Sequence, residues 1–462
     1  MLTFASPLRI LARVLLMALA VGGGGSVARA EVETLQQALV QAYQTNPGLQ
    51  AQRAALRAVD EGVAEALSGW RPSVNANASA GTRSLDLRGQ GTRNLTPRSV
   101  GVQVTQPVFR GFRTVAGVRA AEAQVKAQRA LLQAAEQQLF LNVGTAYLDV
   151  LHNQAVLDLQ QHNETVLREQ LAATRDRFQV GEVTKTDVSQ AEARLERATA
   201  ARIQAEGTLA NVRATYASLV GTLPGTLETP TLAIPEGLAT VDRVATLAET
   251  DAPDVRAAAF TETAGRETVT VTEGNLLPEV NLVGAVSRGW DQSSAAPQRQ
   301  DVVSAEAQLT VPLYRSGADY ARTRAAKQTA SQFRLELADV RRRARATGIA
   351  AWQALMTARA ARTSDEAAVK AAELALEGVR EESKAGTRTT LDVLNAEQEA
   401  LDARVALVQA RHDEQVGLLL VRSAVGILTA EALALPVTRY DPQAHHDAVR
   451  DAWVGLGNGD DQ

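Results

Sequence analysis

The chain has 462 residues, 45% of them hydrophobic but only 4% aromatic, and a net charge of −4. That is the Ala/Leu/Val-rich material of long helices rather than of a thick aromatic core. It has no cysteine, which excludes disulfides, thiolate metal sites, a cysteine nucleophile and an N-terminal lipid-modified cysteine; the near-balanced charge gives no reason to expect a nucleic-acid partner.

In chain order, residues 1–30 read as a secretory signal peptide. Arg9 and Arg13 form its basic part, Val14–Val21 its apolar run, and Ala28-Arg29-Ala30 its cleavage site. The apolar run is far shorter than the roughly 20 residues of a spanning helix. No later segment supplies such a run. A membrane crossed by this chain is therefore crossed without apolar helices.

Residues 31–221 form a first structural repeat. Asn46-Pro47 starts a helix. A strand pair follows over 73–108, where Val74, Ala76, Ala78 and Ala80 alternate with Asn75, Asn77 and Ser79, and Val100, Val102 and Val104 with Gly101, Gln103 and Thr105. Period-2 alternation gives a strand one apolar and one polar face, and about 9–11 residues suffice to cross a bilayer as a tilted barrel strand. A polar loop, Asp86–Pro97, joins the pair, and Pro107 is expected to close it. Long helices then fill 112–221. The proline-free stretch Gly111–Gln179 places Val125, Leu132, Leu139, Ala146 and Asn153 at heptad spacing, so it must pack as coiled coil. Gly181 marks the turn into a second helix from Thr186.

Residues 222–240, with Pro224, Pro230 and Pro235, are a linker. Residues 241–428 then repeat the first half. Gln103-Val-Thr-Gln-Pro107-Val-Phe-Arg110 returns as Gln308-Leu-Thr-Val-Pro312-Leu-Tyr-Arg315, and Asp187-Val188 as Asp392-Val393. A unit this long is a duplicated half-molecule, not a solenoid repeat of about 20–50 residues. Its parts are a helix started at Ala252-Pro253, a strand pair over 279–312 closed by Pro312, and long helices over 316–426 turning at Gly386. Val102, Leu282 and Leu309 are expected on the lipid-facing side. A C-terminal tail, 429–462, ends the chain.

Four strands cannot close a barrel, and lipid does not tolerate an open sheet edge. The chain must therefore oligomerise, with the long helices continuing the barrel as a hollow tube.

No catalytic constellation is present. The histidines (His152, His162, His412, His445 and His446) show no metal-ligand spacing, and His445-His446 is expected as a solvated pair. Arg341-Arg-Arg343 with Arg345 is expected as a solvated helix face. No cofactor is expected.

The duplicated layout, the Pro-aromatic-Arg strand ends and the turns Gly181-Glu-Val-Thr-Lys-Thr-Asp187-Val and Gly386-Thr-Arg-Thr-Thr-Leu-Asp392-Val resemble the TolC family of outer-membrane efflux and secretion channels. The resemblance implies a homotrimer: a twelve-stranded β-barrel in outer-membrane lipid, four strands from each chain, a long periplasmic α-barrel and a mixed equatorial domain. It implies partners too: a periplasmic membrane-fusion adaptor, docking near the turn tips Gly181 and Gly386, and an inner-membrane ABC transporter or proton-driven pump. Without an N-terminal cysteine the chain resembles the non-lipidated branch. The segment Arg439-Tyr440-Asp441-Pro442 to Trp453 is similar to that of channels used in type I secretion, which makes protein export the first cargo reading and multidrug efflux its alternative. A periplasmic coiled-coil adaptor is the alternative of another class.

Asp187 and Asp392, six residues after each turn glycine, read as helix caps. The family resemblance adds a gate. It implies an acidic ring at Asp392 with a second position at Asn395, here not acidic, and a latch joining Asp187 to Arg388 and Ser383.

Overall fold

The computed structural model describes residues 32–87, 91–292 and 299–457; the leader expected over 1–30, loop residues 88–90 and 293–298, and the last five tail residues lie outside these. Two short helices open each half: α1 (Leu35–Thr45) and α2 (Pro47–Leu67), then, in the second half, α5 (Val241–Asp251) and α6 (Pro253–Glu273). Pro47 and Pro253 sit in the first helical turn, where a missing N–H costs no hydrogen bond.

The strands β1 (Ser73–Ala80), β4 (Arg98–Arg110), β5 (Glu279–Trp290) and β6 (Arg299–Thr310) form one antiparallel sheet in the order β1-β4-β5-β6. The register puts Ala76, Val102, Val286 and Val303 in one row, and Gln106, Leu282 and Ala307 in another on the same face. Leu309, opposite Val280, shares that face, while Asn75, Gln103 and Gln308 lie on the other, as the alternation predicts. The apolar face is exposed: Val303 is 79% and Leu309 64% accessible. Ion pairs flank it, Arg288–Asp301 (2.7 Å) at one end and Arg113–Glu279 (2.5 Å) at the helix end. From Glu279 to Arg288 is roughly nine residues, about 30 Å along the strand and about 23 Å at a tilt near 40°. That approaches the ~25 Å apolar band of outer-membrane barrels.

Two details differ from the sequence reading. The loop expected over Asp86–Pro97 carries a hairpin of its own, β2 (Arg83–Leu87) paired with β3 (Gly91–Leu95). Pro107 does not close its strand either. It sits at a β-bulge, after which β4 resumes pairing at Phe109 and Arg110; the bulge accommodates a residue without an N–H.

Each sheet segment turns into a long helix through two consecutive positive-φ residues, Gly111-Phe112 and Ser316-Gly317. A Cβ on Gly274 would lie 2.3 Å from the Gly111 carbonyl oxygen, so the α6 exit and the α3 entry approach as only glycine permits. From there run α3 (Arg113–Gln179) and α7 (Ala318–Lys384), each of 67 residues, about 100 Å at 1.5 Å per residue. The partners α4 (Lys185–Val220) and α8 (Thr390–Ala424) run back alongside them. Val125, Leu132, Leu139 and Ala146 are buried on the predicted stripe. Among the described residues no helix is long and apolar enough to cross a membrane.

The main core lies part-way along α3, away from the sheet, where α1, α4 and the tail pack around it. Tyr43 of α1, Phe140, Val143 and Tyr147 of α3, and Tyr216 of α4 pack with Leu428 and Leu435 of the tail. The Tyr147 hydroxyl lies 2.8 Å from the Glu33 carbonyl and 2.6 Å from that of Glu228, tying the chain start to the linker. The tail, including α9 (Ala444–Val449), straps across α2. This changes one expectation: His445 is not solvated. Its side chain is buried against the fully buried Asp60, at 3.3 Å.

Candidate functional site

The hairpin turns α3–α4 and α7–α8 are built by the same two devices. At each, a glycine at positive φ (Gly181, +82°; Gly386, +81°) ends the long helix. In the first turn the Gly181 N–H donates to the Phe178 carbonyl (3.1 Å) and the Glu182 N–H to that of Arg177 (2.9 Å). In the second, Gly386 donates to Ser383 (3.1 Å) and Thr387 to Glu382 (3.0 Å). These are paired Schellman closures, which satisfy carbonyls left over at a helix end.

Three residues further on, a capping box opens the returning helix. Thr184 Oγ1 accepts the Asp187 N–H (3.3 Å) while Asp187 Oδ2 accepts the Thr184 N–H (2.8 Å) and hydroxyl (2.7 Å). Thr389 and Asp392 repeat the arrangement at 3.2, 2.9 and 2.8 Å. The threonine side chain and backbone bonds hold the Asp187 carboxyl below its ordinary range, and the same bonds from Thr389, backbone first, hold Asp392 below it. Both aspartates therefore remain ionised at the turn, and both act as caps. Thr184 and Thr389 were readable as caps in the T-x-x-D spacing.

The other expected gate residues fall around this frame. Arg388 Nε donates to Glu382 at 2.7 Å, which pushes its pKa further up. Ser383 contributes its carbonyl to the Schellman turn. Among the described residues no hydrogen bond joins Asp187 to Arg388 within the chain. Glu382 stands closer, at the last turn of the same hairpin, and the Asp187 carboxylate is already engaged by Thr184.

Asn395 is engaged across hairpins. Its Oδ1 accepts a hydrogen bond from Arg194 Nη2 of α4 at 2.9 Å. Beside it Leu394 packs with Leu167 and Ala198 in a small buried cluster. Each hairpin also has an internal brace at the same repeat position: Arg175 to Glu192 at 2.6 Å in the first, Arg380 to Glu397 in the second. So the hairpins are braced separately, and Arg194–Asn395 clasps one to the other. The clasp was not legible in the sequence, because its partners lie 201 residues apart. Among the described residues no cluster of three or more His, Cys, Asp or Glu side chains could hold a metal ion. His152 and His412 do meet, with ring centroids 5.2 Å apart, and Asp149 binds His412 Nε2 at 2.8 Å. Arg342 and Arg343 pair with Asp339 at the surface of α7, as a solvated face should.

An exposed apolar sheet face, flanked by ion pairs and continued by helices about 100 Å long, has the parts of a membrane channel crossed by strands. The family model "Outer membrane efflux protein" matches residues 38–222 and 244–426, and the chain belongs to that family. It is 38% identical to the outer membrane efflux protein BepC of Brucella suis over 92% of each chain. It is 26% identical to the outer membrane protein TolC of Escherichia coli, over 91% of this chain and 87% of that one. It is 25% identical to the alkaline protease secretion protein AprF of Pseudomonas aeruginosa, over 73% and 72%. The fold matches that of CusC, a structure described in terms of transmembrane channel formation, with a TM-score of 0.75 at 16% identity, covering 85% of this chain and 91% of that one.

Proposed function

We propose that the protein is the exit duct of a tripartite export system. Three copies close one twelve-stranded barrel in the outer membrane and one helical tube in the periplasm. The observation that carries this reading is the four-stranded sheet with an apolar outer face, whose edge strands β1 and β6 have no further strand partner among the described residues. Lipid forces such edges to pair, and four strands from one chain are too few for closure. The number three rests on family likeness. The repeats over 31–221 and 241–428 then supply equivalent hairpins around the tube. The leader over residues 1–30 directs export. A periplasmic adaptor docks along the hairpins toward Gly181 and Gly386 and couples the duct to an inner-membrane transporter, an ABC transporter in the protein-export reading.

The periplasmic mouth is where we place the gate. Three copies of Asp392 form its acidic ring, which favours cations. The second position is the neutral amide of Asn395, held by Arg194, and contributes no acid. Asp187, Arg388 and Ser383 sit in the turns that a latch between neighbouring copies would join.

Protein export is supported by AprF and by relatives named for secretion. Efflux is the second reading, favoured by the 38% identity to a protein named for efflux. A deletion strain separates them. Loss of a secreted protein supports export, and hypersensitivity to drugs and detergents supports efflux. A strain with neither phenotype removes both cargo readings.

A further inference from the structure

Away from the mouth, five cationic side chains converge on one cleft of about 610 Å³ between α2, α3, α6 and the tail strap: Arg53, Lys126, Arg129, Arg256 and Arg439. Only two carboxylates, Glu136 and Glu431, share its walls. Glu136 accepts the Ala430 N–H at 2.6 Å, and Glu431 pairs with Arg439 at 2.9 Å. Glu136 also acts electrostatically on Arg53, and Asp60, outside the walls, on Arg129, so the five cations are balanced only in part.

Arg53 is the fixed element. It is 9% exposed, and its guanidinium is clamped between the rings of Tyr43 and Tyr440, at 4.5 and 5.0 Å from their centroids. The Tyr440 N–H donates to the Tyr43 hydroxyl at 3.0 Å, which locks the clamp. Yet Arg53 Nη2 is buried without a hydrogen-bond partner, and so is Arg129 Nε. A buried donor without an acceptor has lost its hydration, and ring contacts do not supply the hydrogen bond it lacks. Cations held together likewise repel one another unless an anion sits between them. The remaining wall sets Leu49, Leu132 and Phe260 beside the polar Gln133, Thr429 and Gln443.

We propose that this cleft is a binding site for a soluble anion bearing phosphate or carboxylate groups. Several acceptor oxygens would meet the fixed guanidinium of Arg53 and the Lys126–Arg129 pair, the geometry arginine favours for such groups. A cleft of this size exceeds a bare ion, and its apolar wall residues suit an organic body behind the charged head. A lipid headgroup does not fit the location. Lys126 and Arg129 stand 13 to 16 residues along α3 from Arg113, roughly 20–24 Å from the sheet at 1.5 Å per residue. The headgroup layer extends only about 5–8 Å beyond the hydrocarbon.

The test uses the full-length detergent-solubilised oligomer, titrated calorimetrically with inorganic phosphate and with citrate against chloride at matched ionic strength. Saturable binding of one or both is expected. It should weaken at least about tenfold in K126Q/R129Q and remain unchanged in R341Q, on the exposed face of α7. R256Q removes an exposed rim charge, with only the surface hydrogen bond to Gln133 beside it, and is expected to weaken binding in the same direction. Heat-dissociable oligomers on a gel confirm that the variants assemble. Heats that do not saturate, or binding equal in all variants, would overturn the proposal. So would binding of phosphatidylglycerol vesicles that neither phosphate nor citrate displaces.

Discussion

A single arginine placed at different depths of the sheet tests both its register and its membrane setting. Val104 pairs with Val74 and Gly284 on the apolar face. Along β5, Gly284 stands about five residues from the Glu279 ion pair and about four from Arg288, roughly 17 and 14 Å along the strand. At a tilt near 40° that is roughly 10–13 Å of depth from either polar end. Val104→Arg therefore sets a guanidinium near the middle of the apolar band, at a cost of about 2–4 kcal/mol per chain. Leu309 lies opposite Val280, one row from Glu279, so Leu309→Arg reaches the interface and costs only about 0–1 kcal/mol. Gln103 pairs with Asn75 and Ala285 on the opposite face, and Gln103→Arg should be tolerated. The assay is urea-dependent folding into lipid vesicles, followed by the gel shift between folded and heat-dissociated forms. The expected order of loss is Val104→Arg, then Leu309→Arg, then Gln103→Arg. Equal loss for Val104→Arg and Gln103→Arg would refute the assignment of faces.

At the mouth, Arg194→Ala removes the clasp between hairpins and should raise single-channel conductance in planar bilayers; unchanged conductance would make Arg194–Asn395 a passive contact. Asp392→Ala should lower cation selectivity and block by multivalent cations, whereas a purely capping role would leave ion preference as it was. Thr389→Ala should destabilise the second hairpin tip by about 1 kcal/mol, read as faster local amide exchange in the first turn of α8, and equal exchange would show that the cap is dispensable. His412 supplies a pH effect. Burial opposes its charge, but Asp149 and Asp413 outweigh that and raise its pKa above 6.5. The stability it contributes is thus fully present below about pH 6.5 and lost as pH rises through the raised value. His412→Asn should lower the melting temperature more at pH 5.5 than at pH 8.5, and the reverse order would contradict the Asp149 pairing.

Much of this arrangement is legible in the sequence because it rests on local periodicity. The alternation at Val100–Thr105 reports which face of the sheet is apolar, and the heptad positions Val125 to Ala146 report the buried stripe of α3. The turn glycines and the Thr-x-x-Asp spacing carry their own geometry, twice over. What stays hidden depends on distant chain segments meeting. Nothing local pairs Arg194 with Asn395, His152 with His412, or Asp60 with His445. The β2–β3 hairpin escapes notice because its sequence is as polar as a loop, and Pro107 misleads because a bulge can absorb it. The Arg388–Glu382 pair was not legible either, since it depends on how the Schellman turn folds back.

On the reading proposed above, several copies of this chain join their four-stranded sheets into one barrel in the outer membrane. Separation of inner and outer membranes, followed by gel electrophoresis of unheated and heated samples, tests it most directly. An outer-membrane oligomer that resists SDS when cold and dissociates to the single chain on boiling is expected. Recovery as a soluble periplasmic monomer would contradict it.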